Sequence, residues 1–294
     1  MTSPWPSADL TLRELAKRVT SDISKDDVFG HAAQLSFYFL LALFPLLLFL
    51  TSVIGLMMGP GTGLRNNLFN YLGDVLPSSA FKLVSDTMIE ISADSGGGKI
   101  SFGIVAALWA ASSGVGAISR SLNVAYHVHE SRPWWKRRLI ALQLTIALSV
   151  LIISALVLVL YGGRIADLIA ASYGFGKAFV IAWKILEWPI VLAFVLLAFA
   201  LTYHWAPDLK MRKWKWITPG SVVAVALWLL VSFGFRLYLH FFNSYNKTYG
   251  SLGAVIILML WFYLTGAAIL IGGEINSNVE AVDNNTRVKQ NAAA

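Results

Sequence analysis

The chain has 294 residues, 57% of them hydrophobic and only 13% charged, with a formal net charge of +7 and a mean hydropathy of +0.65. A soluble domain of this size cannot hide that much apolar surface. The absence of cysteine excludes disulfides, thiolate metal sites and thiol nucleophiles, and the basic residues fall in short clusters beside apolar runs, which suits membrane orientation better than a nucleic-acid-binding face.

Residues 1–30 read as a polar leader. Thr11 and Glu14 have capping-box spacing ahead of Leu12, Leu15, Ala16 and Val19, which share one helical face. A helix lying on the inner membrane surface is predicted. The apolar run that follows is too long for a signal-peptide core and is expected to stay as the first span. Crossing about 30 Å of hydrocarbon takes roughly 20 residues, and runs of that kind at 32–57, 100–122, 139–161, 179–203, 217–241 and 251–275 predict an all-α polytopic bundle of six membrane helices. The plan is thus a leader over 1–30, a membrane domain over 31–277 and a polar tail over 278–294.

Pro45 in the first span predicts a kink. In the loop that follows, Leu64, Leu68, Leu72 and Val75 repeat at helical spacing, and Phe81, Val84, Met88 and Ile91 do so after Pro77; both segments are expected as amphipathic interfacial helices. Gly103, Ala107 and Ala111 give the second span a small-residue packing face, and Ser112 and Ser113 beside Gly114 are candidates to line a polar cavity at mid-depth. Further on, Lys184 and Glu187 have the spacing of a helical ion pair at the outer end of the fourth span. Arg236, about two turns before an outward loop, is the most informative single residue of the fifth. It is expected to face the bundle interior or an outward-opening cavity, with Tyr238, Asn243, Tyr245 and Asn246 beside it supplying polar contacts.

Sorted by loop, Lys and Arg number fourteen on the side of the termini against six on the other. The positive-inside rule then puts both ends in the cytoplasm. Trp134, Trp135, Trp205, Trp214 and Trp216 at inner boundaries, and Trp183 and Trp188 at an outer one, read as interfacial anchors. His127 and His129 with Glu130 are too few for a metal site, and no Walker loop, nucleophile elbow or zinc-protease helix occurs. No catalytic residue, metal or cofactor is therefore expected, and no nucleic-acid partner.

Several segments resemble the YihY/BrkB family of bacterial inner-membrane proteins. They are Ala32 through Phe37, Tyr38 and Phe44-Pro45; Ser112-Ser113-Gly114 leading to Leu122-Asn123 and Ala125-Tyr126; Arg132-Pro133; Phe235 to Tyr238; Tyr249 to Ala254; and Gly273-Glu274-Ile275-Asn276. The resemblance implies a six-helix inner-membrane protein with cytoplasmic ends. Some members of that family carry a ribonuclease label and others are linked to virulence, but the resemblance carries no established reaction. The residues favour binding or movement of an amphipathic anionic substrate, such as a lipid or lipid-linked envelope precursor. The alternatives are a non-transporting scaffold for envelope-biogenesis enzymes and, behind both, a membrane-bound ribonuclease.

Overall fold

The structure, a computed structural model, describes residues 11–58, 97–174, 177–209, 217–241 and 251–293, together with positions 70 and 85. Among the described residues the regular structure is helical throughout: α1 (Leu12–Lys25), α2 (Val28–Met58), α3 (Gly97–Ala125), α4 (Trp134–Tyr173), α5 (Lys177–Trp205), α6 (Pro219–Phe241) and α7 (Ser251–Ala293). Each of the six long helices α2–α7 overlaps one of the six predicted spans, with α4 and α7 running well past the predicted ends. Four stretches, Trp134–Tyr173, Ala178–Trp205, Pro219–Tyr238 and Val255–Val282, are long and apolar enough to cross a membrane, and Val28–Leu43 adds a shorter apolar stretch in α2. The helices expected in the first loop lie outside the described residues.

Local chemistry explains where the helices begin and end. The capping box at α1 is present: the Thr11 hydroxyl accepts from the Glu14 N–H at 3.3 Å and the Glu14 carboxylate accepts from the Thr11 N–H at 3.3 Å. At the elbow into α2, Asp27 adopts φ 46° and its carboxylate accepts from the Gly30 N–H at 3.3 Å, so one aspartate both turns the chain and caps the next helix. Gly174 ends α4 in the left-handed conformation. Ahead of α6, Thr218 and Ser221 exchange hydrogen bonds around Pro219, which fills the first helical position without losing an intrahelical bond. Pro45 and Pro189 are both contained within continuous helices. α7 also runs without a break past residue 277, so the polar tail continues the last span as helix.

Each long helix packs on the next in the chain, and α7 returns to pack on α2 as well as α3, closing a ring; α1 lies against α7 and α2. Small residues set the tightest crossings. A Cβ on Gly220 or Gly272 would strike the opposite backbone where α6 meets α7, and one on Gly273 would come within 2.7 Å of Leu122. The buried core, including Val28, Leu35, Leu122, Leu144, Tyr203 and Leu270, gathers toward the end of the ring that carries α1. Elsewhere the outer faces are apolar, with Leu168, Ile185, Leu230 and Phe233 all more than 60% exposed. Such a surface requires lipid around it.

Candidate functional site

The residues singled out from the sequence do not converge on one place. Arg236 stands on the exposed side of α6, about 25 Å along the helix from the Gly220 crossing at 1.5 Å per residue. Lys184 is also exposed, whereas Glu187 turns inward until its carboxylate packs over Gly162 of α4. The two form no ion pair, because α5 points one toward the surroundings and the other toward α4. Tyr238 stacks on Phe235 with ring centroids 6.3 Å apart, while Asn243, Tyr245 and Asn246 lie outside the described residues. Neighbouring positions on α3 face different ways: Ser112 is fully buried and donates to the Trp109 carbonyl at 2.7 Å, and Ser113 is exposed with its hydroxyl 3.3 Å from Arg138.

A different set of charges does converge, at the end of the ring that carries α1. A polar cleft of about 150 Å³ is lined by Gly116, Ser119 and Arg120 of α3, Glu130 of the following loop, and Trp134, Arg137, Arg138 and Ala141 of α4. Arg138 donates to the Trp109 carbonyl and lies over the Trp109 ring at 3.9 Å; its Nε is buried with no acceptor among the described residues. Arg120 stands 5.2 Å from the centroid of the Tyr38 ring. Read along the chain, these arginines carried only a topological meaning. The one signal of more was Arg120, a charge at the border of an apolar run.

Glu130, the lining carboxylate, is already neutralised. Arg132, only 8% exposed, holds it with two charge-assisted bonds, Nε to Oε1 at 2.6 Å and a terminal nitrogen to Oε2 at 2.8 Å. The same guanidinium donates to the Ala206 carbonyl at 3.0 Å and lies 3.6 Å from Asp208. Asn123 completes the lattice, donating to Glu130 and accepting from the Asp208 N–H, both at 2.8 Å, and Ser131 donates to Asp208 through its backbone and hydroxyl. Burial by itself would raise the Glu130 carboxyl, but the bonds from Arg132 and Asn123 and the guanidinium charge outweigh it and hold the group below its ordinary value. Arg132 is raised in turn, mainly by its bond to Glu130. With Glu130 spoken for, the three cleft arginines leave a net positive concavity.

Beside it, α3 and α4 also wall an apolar cavity of about 310 Å³. Ile118 contributes from α3, Leu148, Leu151 and Ile152 from α4, Phe194 and Phe199 from α5, and Trp228 and Ile269 from α6 and α7. Leu148 is seven residues beyond Ala141 of the cleft, roughly 10 Å along the helix. Of its hydroxyls, Thr202 bonds to its own helix at the Ala198 carbonyl, while Thr265 Oγ1 has no partner among the described residues.

A closed ring of long helices with an apolar exterior and its paired charges at one end defines a polytopic integral membrane protein. The chain belongs to the virulence factor BrkB family, whose profile matches residues 19–294. It is 37% identical over 266 residues, 90% of this chain and 94% of the other, to the "putative ribonuclease-like protein YfkH" of Bacillus subtilis. It is also similar to "UPF0761 membrane proteins" of Stenotrophomonas maltophilia, 37% over 93 residues, and Xanthomonas campestris, 35% over 100. Those shorter matches cover about a third of this chain and about a fifth of each relative. No solved structure matches it significantly.

Proposed function

We propose that the protein binds and moves an amphipathic anionic molecule, a lipid or lipid-linked envelope precursor, in a bacterial inner membrane. The observation that carries this reading is the pairing of scales along α3 and α4: an arginine-lined cleft sized for a headgroup and, about two turns along α4, an apolar cavity shared with α5, α6 and α7 and sized for part of an acyl chain. Guanidinium suits phosphate because its planar fork makes two parallel bonds, and a partly dry setting strengthens them. At the opposite end Arg236 and Lys184, both exposed, are the groups available to a headgroup in the other leaflet. Tyr238, Asn243, Tyr245 and Asn246 are their proposed companions, and the buried Ser112 belongs to packing.

A nucleolytic role is not part of this reading. "Ribonuclease-like" belongs to the name of the Bacillus relative, and among the described residues no three His, Asp or Glu side chains gather to hold a metal ion. Two measurements test the proposal. Native mass spectrometry of the purified protein should show phosphatidylglycerol retained over phosphatidylcholine, with that preference lost in Arg120→Gln/Arg138→Gln. Equal retention of both lipids by the parent would remove the headgroup site. In liposomes the parent alone should move a labelled anionic lipid; if it does not, the scaffold reading takes precedence. The proposed orientation, with both termini cytoplasmic, rests on the loop charges. Single cysteines near Trp135 and Lys213 should escape an impermeant external reagent that labels positions near Gly61 and Lys247, and the reverse pattern would invert the topology.

A further inference from the structure

Where α1 meets α7, the chain buries a carboxyl group in an unusual way. Glu274 of α7 has no exposed surface, and neither of its oxygens meets a hydrogen-bond donor among the described residues. Its strongest charged neighbour is Asp26, the residue that ends α1, whose Oδ2 is buried without a hydrogen-bond donor among the described residues although the side chain as a whole is 20% exposed. Asp22, one turn back on α1, adds negative charge nearby, but it is provided for: Asn278 donates to it at 3.0 Å and Lys25 stands 3.6 Å away. Glu274 is therefore left without a donor among the described residues, and Asp26 keeps one buried oxygen in the same position.

Ordinary compensation is missing among the described residues. His127, from the loop after α3, approaches Asp26 with Nδ1 at 3.5 Å, but that nitrogen is 3.0 Å from the Val124 carbonyl, the natural acceptor of its proton. The other titratable groups around the pair are Tyr126 from the same loop, Glu280 on α7, Tyr203 on α5, and Asp27 and His31 at the start of α2; Asp27 is committed to its cap on Gly30. None of these brings a fixed positive charge to Glu274. A water molecule could serve the lone pairs but would leave both charges in place. A metal ion would need more ligands than two carboxylates, and no such group is found among the described residues.

We propose that Glu274 and Asp26 form a proton-binding site that clamps α1 onto α7. One proton shared by the pair turns two acceptors into an O–H donor and its acceptor and removes one of two adjacent negative charges. Release of that proton leaves two neighbouring carboxylates, Glu274 wholly and Asp26 largely out of water, and the repulsion is eased when the α1 elbow lifts and lets solvent in. Among the described residues α1 is held by few other polar links, chiefly Asn278 to Asp22. Docking of the amphipathic helix is thereby tied to proton occupancy, and the ligand is the proton.

The cysteine-free chain permits a direct test. Val19, buried on the packed face of α1, is changed to cysteine, and its labelling by a thiol reagent is divided at each pH by that of a Lys17→Cys control on the exposed face, which cancels the thiolate titration. The normalised labelling should rise several-fold between about pH 5 and about pH 9. Added to the Val19→Cys chain, Glu274→Gln should hold the ratio at its acid value throughout, because the amide keeps both the shape and the donor of the protonated acid. Asp26→Asn should do the same from the other side. Infrared spectroscopy gives a second readout: a protonated-carboxyl C=O band in the parent at acid pH that vanishes in Glu274→Gln. A pH-independent ratio in the parent would overturn the proposal, as would a Glu274→Gln variant that keeps the parent's response. Protection of the Val19→Cys thiol by added sodium at fixed alkaline pH would replace the proton with a metal cation.

Discussion

Two polar clusters lie at the same end of the helix ring, and they are built on opposite principles. Around Arg132, two carboxylates, an amide, hydroxyls and backbone carbonyls are joined so that the charges balance and the short contacts are shared. Around Glu274, two carboxyls lie together and no described lysine or arginine is paired with either, the His127 ring beside Asp26 being the one titratable base in contact among the described residues. Each has a buried member, Arg132 in one and Glu274 in the other, so burial alone does not reveal which polar group is structural. The informative quantity is whether the protein supplies the compensating charge: where it does, the cluster is a rivet between elements, and where it does not, something mobile must.

The sharpest way to break this comparison is to remove the cation from the first cluster. Arg132→Ala removes the cation between Glu130 and Asp208 and should cost about 2–3 kcal/mol, below the range for a fully buried pair because both carboxylates keep some exposure and a donor each, Asn123 and Ser131. It is read as a large fall in thermal unfolding temperature in detergent. Glu274→Gln, which removes a carboxylate that lacks a donor among the described residues, should change stability by less than about 1 kcal/mol at acid pH. Losses of similar size in the two variants would erase the distinction.

A smaller effect separates the clusters by pH. Glu130 is held below its ordinary value in the folded chain, so its contribution is fully present above the unfolded carboxyl value, about 4.3, and is lost as pH falls through the lower folded one. The Glu274 site runs the other way, losing its proton and its hold as pH rises. Unfolding temperature against pH should therefore lose its acid limb in part in Glu130→Gln and its alkaline limb in part in Glu274→Gln. If either variant flattened the other's limb, the assignments would have to be exchanged.

Much of the architecture was legible because it depends on neighbours in sequence. The Thr11–Glu14 cap spans three residues, and each long helix announces itself as an apolar run. The polar sites were not, because their members meet across the fold: Ser119 bonds to Ala206, and Asn278 to Asp22 from 256 positions away. Arg236 drew notice as a charge in an apolar run, yet it is exposed; Glu274 sits in the same kind of run and is fully buried. Hydropathy registers a charge without saying which face of the helix bears it. The Lys184–Glu187 spacing failed for a related reason, since three residues along a helix permit a contact but a neighbouring helix decides whether it is made.

The length of α7 has a mechanical meaning. Its 43 residues make a rod of about 65 Å, roughly twice the hydrocarbon thickness of a bilayer, with the close Gly220–Gly272 crossing partway along it. At that crossing the two helices are pinned as well as close, because the Gly220 N–H of α6 donates to Asn276 Oδ1 of α7 at 2.9 Å, and the contact acts as a fixed pivot. Because α7 has no break between its membrane half and Ala293, the part beyond the pivot is a lever that continues the axis of the last span. A small tilt about the pivot is thereby magnified into a larger displacement at the far end of the rod.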